Sequence, residues 1–283
     1  MKLIRFRENG NEKPGIILSE NKKIDISNFG QDYDEVFFNT SGLTVLEKWI
    51  EHYGGKLREL PDDIELASPI VKPGKIICIG LNFSDHAKEG GMEVPAEPVI
   101  FMKATSSIVG PNDDVLIPRG STKTDWEVEL AVVIGSKASY VIEKDSMNHV
   151  AGFMLHNDYS ERAFQLERGG QWVKGKSCDT FAPLGPFLAT KDEIKNYDQL
   201  DMWLKVNGEI KQNSNTANMI FKIPFIISYV SQFMSLHPGD IISTGTPAGV
   251  GLGMTPQQFL KNGDVVELGI DGLGSSRQHI KVK

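Results

Sequence analysis

Asp125-Trp126-Glu127-Val128-Glu129-Leu130-Ala131-Val132-Val133-Ile134-Gly135 reads as a β-strand running from a charged end into a core. Side chains alternate faces along a strand, so Glu127 and Glu129 point one way and Trp126, Val128 and Leu130 the other. Two carboxylates on one face of a strand that enters an apolar core repel each other and resist desolvation. A hard divalent cation relieves both problems, because Mg²⁺ and Mn²⁺ favour carboxylate oxygens. The plainer reading is a solvent-facing edge with two exposed glutamates.

Other β-like runs surround this one. Lys75-Ile76-Ile77-Cys78-Ile79-Gly80, Val99-Ile100-Phe101-Met102, Val150 to Asn157, Asp240 to Thr244 and Asp264 to Leu268 are short, apolar and bounded by turn residues. Helical patterns are few: Ser84 to Gly90, Ser160 to Gln165 and Asn218 to Met234. Strands outnumber helices and βαβ alternation is absent, which predicts an α+β domain on a curved, mostly antiparallel sheet. Residues 1–70 read as a small N-terminal α+β unit. It has a hairpin of Met1–Phe6 and Pro14–Leu18 turning at Glu8-Asn9-Gly10-Asn11, then a helix from Thr44 to His52. Thr44 and Glu47 have the spacing of a capping box at the start of that helix. Residues 71–283 form the expected catalytic domain.

The 283 residues carry a net charge of −7 with no basic run, so nothing in the charge pattern favours nucleic acid or an anionic membrane. An anionic substrate would need a local positive centre. The two cysteines, Cys78 and Cys178, form no CxxC pair and imply no disulfide framework. The N-terminus shows no signal-peptide pattern, and the apolar run near Phe221 is interrupted by polar residues. A cytoplasmic location is expected.

Four further segments carry candidate chemistry. The strand ending in His156-Asn157-Asp158 delivers a third carboxylate, which could instead cap the helix that follows. On a helix, His86 and Glu89 share a face, an arrangement suited to a general base, and Gly90-Gly91 after them suits a lid. Lys174 and Lys176 sit in a Gly-rich stretch where either could meet an anionic ligand. Ser243 to Gly253 is a Gly-rich loop after a strand. It lacks the Gly-Lys-Ser/Thr of a phosphate-binding loop, so a ligand-facing role is expected and a nucleotide site is not.

Taken together these motifs resemble the fumarylacetoacetate hydrolase family. The resemblance rests on Ile79 to His86, Asp125 to Leu130, Asn157 to Arg162, the Lys-Gly-Lys before Thr180 to Pro186, and Gly239 to Pro247, in that order. It implies that Glu127, Glu129 and Asp158 bind Mg²⁺ or Mn²⁺, and that His86 with Glu89 activates water. By the same carry-over Lys176 is the catalytic lysine, Arg162 and Gln165 line the substrate site, and Thr246 binds the substrate carboxylate. Longer family members carry another acidic ligand ahead of the histidine, where this chain has the neutral Asn82. The runs Gly120 to Trp126 and Phe164 to Trp172 resemble the bacterial hydrolases of 2,4-diketo-3-deoxy sugar acids. The implied activity is hydrolysis of the C3–C4 bond of a 2,4-diketo acid to pyruvate and a carboxylic acid. Oxaloacetate decarboxylation, isomerisation of an unsaturated diacid and ureidoglycolate cleavage are the alternatives. A homodimer is implied by the resemblance alone.

Overall fold

The computed structural model describes residues 1–18, 22–85 and 95–283. Its main feature is a ten-stranded mixed sheet. From one edge the strands run Lys23–Asp25, Asn11–Ile17, Lys2–Glu8, Leu188–Thr190 and Val150–Asn157. Val128–Ile134, Ile241–Ser243, Ile76–Gly80 and Val99–Lys103 complete the order, with Leu66–Ala67 pairing beside Lys2–Glu8. Pairing is antiparallel except between Ile241–Ser243 and Ile76–Gly80. A second, five-stranded sheet contains Asp201–Val206, Glu209–Asn215, Val265–Ile270 and Gly274–Val282, with Val115–Ile117 at its edge.

The central strand Val128–Ile134 is buried along its whole length, and its alternation feeds two cores. Leu130, Val132 and Ile134 pack with Leu204, Val266 and Leu268 of the second sheet. Ala131 and Val133 face the other way, into a cluster with Leu3, Phe37 and Leu188. The two glutamates precede this doubly covered stretch, where the sheet ends. The strand begins at Val128, two residues later than Trp126, and Thr124–Asp125 pairs separately with Ser160–Glu161.

The N-terminal hairpin forms at the expected place. Asn9 and Gly10 both have positive φ, 52° and 75°, as a two-residue turn matched to strand twist requires. Lys2–Glu8 then pairs with Leu188–Thr190, so these residues extend the main sheet across the proposed boundary at residue 70. A short helix at Glu35–Asn39 comes first; the helix expected from Thr44 to His52 spans Gly42–Tyr53, and its N-cap is Ser41 without a side-chain capping bond. Thr44 and Glu47 therefore lie inside the helix and form no capping box at its start. The Asn218–Met234 pattern contracts to a helix at Ile223–Ser231, and the Ser160–Gln165 pattern to Arg162–Leu166 behind a two-residue strand. Among the described residues no helix is long and apolar enough to cross a membrane.

Candidate metal and substrate site

Three carboxylates that are far apart in the chain meet at the end of the main sheet. Glu127, Glu129 and Asp158 each offer an oxygen, and these atoms lie within 4.8 Å of one another. All three residues are buried, which removes the reading of exposed edge glutamates. Sheet register creates the meeting. Glu129 stands opposite His156, and the Asp158 amide donates to Glu127 O at 2.9 Å, continuing the ladder past the formal strand. Asn157 Oδ1 accepts from the Glu127 amide at 3.0 Å and fixes that corner. Asp158 is not the helix cap. That place belongs to Glu161, whose carboxylate accepts from the Ala163 amide.

Lysines and an arginine surround the trio. Lys176 Nζ donates to Glu127 Oε2 at 2.7 Å and to Asp158 Oδ2 at 2.8 Å. Lys174 is exposed and donates to Arg168 O, so the structure separates the two lysines that the sequence left level. The short helix Val173–Lys176 sits close enough to place Lys176 because residue 175 is glycine. A Cβ there would meet Glu161 O at 2.4 Å. Arg162 Nε donates to Asp125 Oδ2 at 2.8 Å, and its Nη2 lies 2.7 Å from Glu127 Oε1. Gln165 accepts from Arg162 Nη1 at 3.1 Å. Thr246 donates to Val128 O at 3.0 Å and accepts from Gln212 Nε2.

Several members of this cluster were not foreseen. Lys103 is fully buried and donates to Asp158 Oδ1 at 2.6 Å and to Tyr159 O at 3.0 Å. Asp125 accepts from the amides of Gly251 and Leu252 at 2.7 and 3.0 Å, tying the Gly-rich loop to the carboxylate corner. Ser243 and the Gly245 amide both donate to Glu129 Oε2. Ser121 and Thr124, in the run Gly120 to Trp126, bond Glu161 and hold that corner without facing the trio. Asn82 is also structural. Its amide donates to Phe221 O and Thr244 O and accepts from the Phe221 amide. His86 and Glu89 lie outside the described residues.

The electrostatics follow from burial and neighbours. Burial, then Asp158 and Glu127, push the Glu129 carboxyl well above its ordinary range. Burial would raise Asp158 too, but Lys103 and Lys176 outweigh it and hold this carboxyl below the usual range. Burial would lower Lys176, and Asp158 and Glu127 reverse that, so it stays charged. The donor set is three hard oxygens around one point, with Glu129 short of positive charge. That chemistry fits a divalent cation of the magnesium or manganese type.

A cavity of about 340 Å³ opens onto Glu127 and Glu129 and is also lined by Arg162, Gln165, Lys176 and Thr246. All three expected substrate-site residues therefore border one space. Residues 75–281 match the model of the fumarylacetoacetate (FAA) hydrolase C-terminal family. The chain belongs to this family.

Its relatives bear enzyme names. A Burkholderia lata protein named only as a candidate hydrolase is 47% identical over 282 residues, 99% of each chain. The 2-hydroxyhepta-2,4-diene-1,7-dioate isomerase of Mycobacterium marinum superposes with a TM-score of 0.78 at 30% identity, covering 100% of this chain and 99% of that one. The maleylpyruvate hydrolase of Sphingobium sp. SYK-6, solved with manganese(II) and pyruvate, gives 0.84 at 28% identity with the same coverage. The family fold and its hydrolase or isomerase chemistry on acylpyruvate-type acids thus frame this site.

Proposed function

We propose that this protein hydrolyses the C3–C4 bond of a 2,4-diketo acid, releasing pyruvate and a carboxylic acid. The observation that carries this reading is the convergence of Glu127, Glu129 and Asp158 beside Lys176, with Glu127, Glu129 and Lys176 lining one cavity. Magnesium or manganese held by these three carboxylates would polarise the substrate's keto oxygen as a Lewis acid.

The chain's own groups account for the rest. Water adds its oxygen to the C4 carbonyl carbon and the C3–C4 bond breaks. The bonding electron pair leaves with C3 as the enolate of pyruvate, which then takes a proton. Lys176, held charged, is placed to offset the negative charge that grows on this fragment, the kind of term that dominates many such reactions. Arg162 stays protonated beside Asp125 and Glu127 and presents a second fixed positive group to the cavity. The water's proton would pass to His86, oriented by Glu89, an assignment that rests on the family resemblance. Thr246, its hydroxyl already donating to Val128 O, would donate to a substrate carboxylate after rotating away from that carbonyl.

A second reading is isomerisation of an unsaturated diacid, favoured by the isomerase among the structural relatives. One assay separates them. Pyruvate release from 2,4-dioxopentanoate should require added Mg²⁺ or Mn²⁺ and stop with chelator. Metal-dependent change of an unsaturated diacid without pyruvate release would replace hydrolysis by isomerisation, and full turnover in chelated buffer would overturn both.

A further inference from the structure

We infer that the acyl half of the substrate is apolar, an alkyl or aryl group and not the polyhydroxylated chain of a sugar acid. This deepens the proposed hydrolysis and rests on it for the identity of the other half, the pyruvyl end.

The cavity's polar side chains gather at the carboxylate corner, where Lys176 Nζ lies 4.9 Å from the centroid of the Phe101 ring that begins the apolar wall. Each polar side chain among the described lining residues is bonded into the carboxylate corner. Lys176 joins Glu127 and Asp158, Arg162 joins Asp125 and Glu127, Gln165 joins Arg162, and Thr246 joins Val128 O. Phe101 borders that corner, and the rest of the described lining is Ile79, Leu81, Leu166, Trp172, Val250 and Leu252, with two glycines that present no side chain. Among these side chains the one hydrogen-bonding group is the indole N–H of Trp172, a donor that cannot accept. The Trp172 and Phe101 rings meet edge to face at 5.2 Å, forming a rigid aromatic wall.

The position of Trp172 is itself built in. A Cβ at residue 80 would meet its ring at 2.7 Å, so Gly80 is what lets the indole close over the end of its strand. Leu81 holds a left-handed backbone, φ 54°, at this wall, an uncommon state for leucine and of the kind that gathers at ligand sites. Leu166 is 45% exposed and Leu252 half-buried, so the apolar wall continues to the mouth of the cavity. A hydroxyl entering this space would give up water for, at most, the single indole N–H of Trp172 among the side chains of the described wall. An alkyl or phenyl group would instead gain from leaving water.

The test uses the full-length protein with saturating Mn²⁺ and acids that differ only in the acyl half: 2,4-dioxohexanoate, 5-hydroxy-2,4-dioxohexanoate and 2,4-dioxo-4-phenylbutanoate. The first two share a carbon skeleton and differ by one hydroxyl. Two readouts are taken, kcat/KM for pyruvate release and Kd from quenching of tryptophan fluorescence. The hydroxylated acid should be poorer than its parent by about tenfold or more in kcat/KM, and the phenyl acid better than the parent. Kd should follow the same order. Leu252→Gln and the mouth variant Leu166→Gln should narrow the ratio between parent and hydroxylated acid while leaving Mn²⁺ affinity unchanged.

Equal or better use of the hydroxylated acid, in rate and in Kd, would overturn the apolar assignment and leave the hydrolysis reading intact. Absence of pyruvate from all three acids would overturn hydrolysis, and the order of Kd values would still decide the nature of the wall.

Discussion

Ser243 Oγ donates to Glu129 Oε2 at 2.5 Å and lies 2.7 Å from His156 Nδ1. A serine hydroxyl has one hydrogen, and here the carboxylate takes it, so the imidazole must be the donor in the second bond. His156 is therefore the Nδ1–H tautomer. Burial, with Lys103 and Lys176 nearby, carries its pKa down to about 3, which keeps the ring neutral. The result is a three-strand chain of bonds that aims one oxygen of Glu129. Outer partners of this kind typically account for about 10- to 100-fold in metal affinity. Ser243→Ala should weaken Mn²⁺ binding within that range by calorimetry, with little change in thermal unfolding of the metal-free protein. Unaltered affinity would show that the Gly245 amide suffices to orient Glu129.

Lys176 answers a different need, because without a cation it is one of the few positive charges facing three buried carboxylates. Removing one partner from a buried ion pair costs about 3–5 kcal/mol, mostly as the penalty on the charge left behind. Lys176→Met should accordingly destabilise the metal-free protein by about that much in urea unfolding. Added Mn²⁺ should recover part of the loss, since the ion would neutralise the same oxygens. Pyruvate release should not recover, because the fixed positive charge opposite the departing enolate is gone. A variant as stable as the parent without metal would mean that water, and not Lys176, compensates Glu127 and Asp158.

The protons on the trio give a pH prediction with a definite sign. Glu129 is pushed up by burial, Asp158 and Glu127, whereas Asp158 is held down by Lys103 and Lys176. In the metal-free protein Glu129 is thus the carboxyl that keeps a proton to higher pH, and a cation can use that oxygen only after the proton leaves. Metal affinity should rise with pH until Glu129 is ionised in the metal-free state, then level off. Below that pH, binding should release protons. Calorimetry of Mn²⁺ binding in two buffers of different ionisation enthalpy measures this count. Equal heats in both buffers across the pH series would mean that Glu129 is already ionised.

How far the sequence went can be judged residue by residue. Glu127, Glu129 and Asp158 were legible because strand alternation and strand ends are local rules, and both held near enough. Lys176 and Lys174 could not be ranked by pattern. Their difference comes from Gly175, which lets one short helix pack on Glu161 and turns Lys176 inward. Lys103 was passed over because a lysine closing an apolar run normally reaches solvent. Here it meets Asp158, which follows the non-adjacent strand Val150–Asn157, at 2.6 Å instead. The supposed capping box at Thr44 failed for a tertiary reason. Gly42 packs on Phe37, where a Cβ would lie 2.4 Å from the ring, and that contact sets the helix start two residues early. Asn82 sat where an acid was sought, yet its amide is wholly engaged with main-chain groups.

Gly80 offers the sharpest separation of metal binding from acyl recognition. It ends the strand Ile76–Gly80, makes no side-chain contact with the carboxylates, and leaves the space into which the Trp172 ring fits. Gly80→Ala would place a methyl 2.7 Å from that ring and force the indole outward from Phe101. Mn²⁺ affinity should stay at the parent value, since no bond to Glu127, Glu129 or Asp158 passes through residue 80. The catalytic efficiency for 2,4-dioxo-4-phenylbutanoate should fall by about tenfold, chiefly in KM, while 2,4-dioxopentanoate, whose methyl barely reaches the wall, should change little. Steady-state kinetics on the two acids provide the comparison. Equal losses on both would place Trp172 against the pyruvyl end, and weakened Mn²⁺ binding would mean that the strand itself had shifted.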